Sequence, residues 1–385
     1  MRNRSLFSGV LALLLILSAL FPLSACGKNG ADAADAPVVG DLVYESTDEL
    51  EYADQFAVYR YEGGYAYIEI VNSDRILVVP EGAAVPGGLD PDVVVVQQPL
   101  SRIYLAATSA MALLEAIDAL DAISFVGSRA WYTQGAVEAL ENGDFVYAGK
   151  YNAPDYETLL NGECQLAVES TMILHNPEVK EKLIELGVPT IVERSSYEEH
   201  PLGRTEWVKF YGILLGREAA AEAVFRAEAD KIAGLEELES TGLTVAFFFV
   251  NSNGNVITYK SDGYVAEIIR IAGGEYIFPD LGEGDESQLS TVNMSMEEFY
   301  NSAKDADVII YNCSSFGATL HSMDEFLSLS PVLEDFRAVQ EGNVWSTSES
   351  MFQRTDTMGS IISEVNAILT GAGDRTDLTY FVRLQ

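Results

Sequence analysis

From residue 102 onward the chain alternates short apolar runs with helical stretches, and this rhythm restricts its fold more than any other feature. Ile103-Tyr104-Leu105-Ala106 reads as a strand, followed by a helical stretch through Met111, Leu114 and Ile117. Residues 123–127, 165–168 and 190–192 read as further strands, with a helix over 177–186. Short apolar strands separated by helices call for a parallel sheet covered on both faces. The rhythm restarts at 244–250 with Thr244-Val245-Ala246-Phe247-Phe248-Phe249-Val250. A helix over 264–272 then stops at Gly273-Gly274, strands follow at 307–312 and 342–345, and a last helix covers 358–369. The α/β body beyond residue 40 is too long for one simple core, so two lobes are predicted, over 41–216 and 241–385.

Between the lobes, residues 217–240 are the longest stretch of strong helix formers, bracketed by Gly216 and Gly242. At the α-helical rise it would run roughly 33 Å, and a single long interlobe helix is predicted there. Ahead of residue 102 the runs Phe56-Ala57-Val58-Tyr59, 65–71 and 75–79 are broken by turn residues such as Gly63-Gly64. They predict antiparallel strands.

The first residues carry a different message. Arg2 and Arg4 precede an apolar run over 6–20 and the segment Leu23-Ser24-Ala25-Cys26. This reads as a secretory signal over 1–25, too short and too interrupted by Pro22 for a spanning helix. The last four residues resemble a bacterial lipobox, which makes Cys26 the expected lipidated start of the mature chain. Residues 26–40 read as a flexible tether. An extracytoplasmic protein, held to the cell membrane through that lipid alone, is expected.

Acidic residues outnumber basic ones 59 to 23, which argues against nucleic acid as a partner. The remaining cysteines, Cys164 and Cys313, lie far apart without metal-type spacing, and two separately buried thiols are expected in preference to a disulfide. No resident metal or other cofactor is expected. There is no G-x-S-x-G elbow or H-E-x-x-H helix, and His175, His200 and His321 are scattered, so an enzyme is not expected. A surface-anchored hydrolase remains the first alternative, and a sensing lipoprotein without a transport role the second.

Three segments carry a family resemblance. Gly149-Lys150-Tyr151-Asn152-Ala153-Pro154-Asp155-Tyr156-Glu157, then Gly273-Gly274-Glu275-Tyr276-Ile277-Phe278, then Ser295-Met296-Glu297-Glu298-Phe299 with Asp307-Val308-Ile309-Ile310, occur in this order. In this order the chain resembles the substrate-binding proteins of ABC importers for iron-siderophore, heme and cobalamin. The resemblance implies two α/β lobes joined by one rigid helix, small lobe movements on binding, and a monomer. It also implies docking on ABC permease subunits through one exposed glutamate per lobe, here Glu157 and Glu297, with Glu298 as the neighbour that complicates the second assignment. The solute it implies is an iron chelate or corrinoid: a ferric siderophore first, then heme or cobalamin.

In such folds ligands meet the loops at the carboxyl ends of strands. That rule selects Thr108, Ser109, Arg129, Trp131 and Tyr151 in the first lobe, together with Arg194, Tyr197, His200 and Arg204 from the unusual segment 194–207. In the second lobe it selects Asn251, Tyr259, Ser314, Phe316, Trp345, Phe352 and Arg354. Arginine forks and aromatic faces suit the oxygens and flat surfaces of a chelate. Arg204 could equally pair with a nearby glutamate, Trp345 could equally be core, and Tyr197 and His200 are residue types that can ligate a heme iron.

Overall fold

The computed structural model describes residues 36–235, 239–282, 290–313, 319–371 and 378–385. Its first body is a five-stranded sheet in sequential order: β1 (Tyr44–Thr47), β2 (Phe56–Tyr61), β3 (Tyr65–Ile70), β4 (Arg75–Val79) and β5 (Val93–Gln97). The first four strands form an antiparallel meander and β5 pairs parallel to β4. Because side chains alternate along a strand, Phe56, Val58, Ile68 and Ile76 face the main core, while Tyr61, Tyr67 and Leu77 close a small separate cluster with Val39.

The next body follows the predicted alternation. It runs β6 (Ile103–Leu105), α1 (Ala110–Ala116), β7 (Ile123–Val126), α2 (Gln134–Asn142), β8 (Val146–Tyr147), the short ribbon β9 (Gly149–Lys150) and β10 (Ala153–Pro154), and α3 (Tyr156–Asn161). It ends with β11 (Leu166–Ser170), α4 (Pro177–Glu185) and β12 (Thr190–Glu193). The sheet order is β12-β11-β6-β7-β8, parallel throughout.

Two helices then pack side by side, α5 (Pro201–Leu215) and α6 (Glu218–Ile232). The helix expected over 217–240 is therefore shorter: it stops at Ile232, spans about 22 Å at the α-helical rise, and gives way to a turn in which Gly234 has φ +89°. Gly212 lets the pair approach, since a Cβ there would lie 2.7 Å from Ala221 Cβ. Every residue of α5 except Lys209 and Leu215 is buried. This helix, not anticipated as a unit, touches the meander through Phe56, α1 of the first lobe, and α7 and α11 of the second.

The second lobe comprises β13 (Thr244–Val250), β14 (Val256–Tyr259), α7 (Tyr264–Ile271), β15 (Glu275–Tyr276), β16 (Thr291–Met294), α8 (Met296–Ala303) and β17 (Val308–Tyr311). It continues with α9 (Met323–Leu327), α10 (Arg337–Gln340), β18 (Val344–Thr347), α11 (Met358–Thr370) and β19 (Phe381–Arg383). Its sheet runs β16-β14-β13-β17-β18-β19, with β15 also on β13. The centre is parallel, as expected, but β14, β16 and β19 are joined by antiparallel pairings. One apolar network continues from Val58 in the meander through Trp207 and Phe210 of α5 to Phe247 and Ile362 of the second lobe. No helix among the described residues is long and apolar enough to cross a membrane. Cys164 and Cys313 are buried, unpaired thiols.

Candidate functional site

A cleft of about 920 Å³ opens between the two lobes. The first lobe contributes the turn after β11, including Thr171, Met172, Leu174 and His175, and the loop after β12, including Arg194, Ser196, Tyr197, Glu198 and Glu199. The second contributes Lys260, Asp262, Gly263 and Tyr264, which join β14 to α7, and Ser290 and Thr291 at the start of β16. Asn72, from the β3–β4 turn of the meander, completes the lining. Junctions where strands pass into helices supply most of these groups, since a loop there is free of ladder hydrogen bonds and faces the crevice.

Arg194 is the main cation at the first wall. It is 7% exposed, its guanidinium lies 4.4 Å from the Tyr197 ring centroid, and its Nε has no hydrogen-bond partner among the described residues. A buried guanidinium with an open donor is costly unless something accepts from it. Behind it, Arg204 stacks on Tyr264 at 4.1 Å, again buried, with Nε and Nη1 lacking partners among the described residues. Burial raises the Tyr264 phenol pKa against the opposing pull of Arg204.

Buried carboxylates fix the loop that carries Arg194. Glu193 accepts from the Ser109 hydroxyl and the Ser195 amide, both at 2.8 Å. Glu198 accepts from the amides of Asp54 and Gln55 and from Trp207 Nε1 at 2.7 Å. Burial pushes the Glu198 carboxyl above the usual carboxylate range, against three N–H donors that favour the ionised form. Glu169, at the end of β11, is fully buried with both oxygens lacking partners among the described residues, and burial pushes it up to about 8. The second wall has a mostly polar lining, and behind its Tyr264 lies an aromatic cluster. Phe352 stacks on Tyr259 with centroids 6.1 Å apart and meets Phe247 and Tyr264 edge-on.

Of the residues selected from the sequence, Arg194 and Tyr197 line the cleft, and Arg204 and Tyr259 lie immediately behind Tyr264. Tyr151 packs on Ile173, Val179 and Val192 around the 171–175 turn. Thr108 precedes Ser109 at the start of α1, and the Ser109 hydroxyl is spent on Glu193. His200 caps α5, accepting from the Leu202 amide through Nδ1, and stacks on Tyr52. Arg129 is exposed over the Tyr147 ring, and Trp131 is buried with its indole N–H on the Ser128 carbonyl. Gln353 of the second lobe bonds this same loop at Ala130 and Tyr132.

Other selected residues serve the fold. Asn251 accepts from the amides of Asn253 and Asn255 and so forms the β13–β14 turn. Trp345 is core, 2% exposed, and Arg354 forms a two-point pair with Asp356. Ser314, Phe316 and Cys26 lie outside the described residues. Glu157 and Glu297 are both exposed in the first turns of α3 and α8, whereas Glu298 is committed to a capping box with Ser295. The sequence reading missed residues 260–264, and Asp262-Gly263 ahead of a helical stretch was the available signal.

The periplasmic binding protein family model matches residues 105–350. An uncharacterized lipoprotein of Methanocaldococcus jannaschii is 27% identical over 277 residues, which is 67% of this chain and 62% of that protein, so the match spans less than two thirds of the relative. The periplasmic vitamin B12 binding protein of Vibrio cholerae superposes with a TM-score of 0.51 at 18% identity, over 71% of this chain and 98% of that one. The petrobactin-binding protein YclQ of Bacillus subtilis superposes at 0.56 with 12% identity, over 71% and 93%. With two α/β lobes flanking a lined cleft, and a family model covering most of the chain, this protein belongs to the periplasmic binding protein family.

Proposed function

We propose that the chain is a lipid-anchored, extracytoplasmic solute-binding protein that captures an iron chelate in the interlobe cleft and delivers it to an ABC importer. The observation that carries this is the cleft itself, lined from both lobes and holding the buried, open donor of Arg194. Its volume is in the range of pockets that enclose small organic ligands. Arg194 and Lys260 share the lining with Glu198, Glu199 and Asp262, so the cleft is close to charge-balanced. A ferric siderophore of low net charge, such as a trihydroxamate, suits it better than a highly anionic tricatecholate, with heme and cobalamin next. Lipidation at Cys26 supplies the anchor, and Glu157 and Glu297 supply the permease contacts, each able to receive an arginine fork.

Calorimetric titration of the full chain with a ferric trihydroxamate, a ferric tricatecholate, hemin and cyanocobalamin tests this reading. Binding of at least one chelate, weakened about tenfold or more by Arg194→Ala, is expected. In cells, reversing both Glu157 and Glu297 to arginine abolishes uptake while the purified variant still binds. Absence of binding across the whole panel overturns the reading.

A further inference from the structure

The meander lies outside the matched family region, which begins at residue 105, yet its β3–β4 turn reaches the cleft. Asn72 sits there with φ +51° and an exposed side chain, a conformation that asparagine and glycine tolerate well. The turn is clamped on both sides of it. On one side the Val71 amide donates to the Gln55 carbonyl, and the Gln55 amide in turn donates to Glu198 on the cleft floor. On the other, Asp74 accepts from Lys180 Nζ at 2.6 Å and from the Val192 amide at 2.8 Å. Lys180 belongs to α4 and Val192 to β12, the elements that flank the two cleft loops of the first lobe. A surface hairpin turn usually needs no such clamp, and a turn whose backbone is held at a binding cleft presents its polar side chain from a fixed position to a ligand.

We propose that the β3–β4 turn is a third wall of the solute cleft and that Asn72 is a specificity-determining residue, its carboxamide meeting the polar rim of the bound chelate. This rests on the reading that the cleft takes a chelate. The amide offers both a donor and an acceptor, so it matches carbonyl, hydroxamate or carboxamide oxygens and nitrogens at the edge of the solute. An anionic residue in its place would repel a chelate that carries carboxylates.

The test titrates the same four chelates into the full-length wild type, Asn72→Gly, Asn72→Asp and Arg194→Ala. Glycine and aspartate both accept the backbone conformation at residue 72, so the variants keep the wild-type melting temperature. Asn72→Gly is expected to weaken the preferred chelate about fivefold, the size of one neutral hydrogen bond. Asn72→Asp is expected to change the order of preference, weakening hemin and the tricatecholate more than the trihydroxamate. If both variants match the wild type within about twofold for every chelate while Arg194→Ala loses binding, the third wall is overturned and the cleft reading stands. If the wild type binds none of the four, both are overturned together.

Discussion

The two walls of the cleft are built by different chemistry. In the first lobe, buried carboxylates at the end of β12, in the loop after it and in α5 hold loops and meander by accepting from backbone amides: Glu193, Glu198 and Glu206. Glu206 alone accepts from the amides of Glu51, Tyr52 and Ala53 and from Lys209. In the second lobe the corresponding junction leans on packed rings, Tyr259, Tyr264, Phe352 and Phe247, stacked or edge-on. A carboxylate fixes several donors at once but titrates. An aromatic cluster holds by contact area and is indifferent to protons. The lesson is that the support behind one wall rests on carboxylates and the support behind the other on aromatic contact area.

The sharpest way to break that contrast is Glu206→Ala. It strands three backbone donors and a lysine, and is expected to cost about 3–5 kcal/mol in urea unfolding. A loss below about 1 kcal/mol would mean that the carboxylates are incidental. Glu169 offers the next largest effect. Its folded value of about 8 lies above its ordinary 4.5, so between these values the folded chain keeps a proton that the unfolded chain releases. Stability contributed by this group therefore falls as pH rises from about 5 to about 8, and levels off above that. Relative to Glu169→Gln, the wild type should lose up to a few kcal/mol between pH 5 and pH 8.5, read by denaturant unfolding at both values. A parallel pH response in the two proteins would remove Glu169 from the account. On the aromatic side, Phe352→Ala is expected to cost about 2 kcal/mol, less than a fully buried ring because Phe352 is only half-buried. The cost should be equal at pH 5 and pH 8.5, and a cost that depends on pH would blur the distinction between the walls.

The same contrast explains what was legible beforehand. Strand and helix positions followed from apolar runs and their punctuation, and Arg194 and Tyr197 stood out because they follow a strand with no apolar reason to be there. In the second lobe, following β13 to its end led to Asn251, a turn residue. The junction that lines the cleft lies one hairpin later, at the end of the antiparallel β14. Helix α5 was legible only as a helix start within 194–207, because a helix buried on all sides shows no polar face and its period is invisible. The stretch after Gly216 looked like the long connector because its exposed positions are full of strong helix formers. Asn72 left no signal, since only tertiary packing brings a meander turn beside β12.

Helix α5 has a consequence of its own. Because meander, first lobe and second lobe all rest on its sides, no party can depart without baring apolar surface on the others. The chain should therefore melt as a single cooperative unit, and a fragment ended at Leu215 would leave Arg204, Thr205 and Gly212 without Tyr264, Thr355 and Ala221.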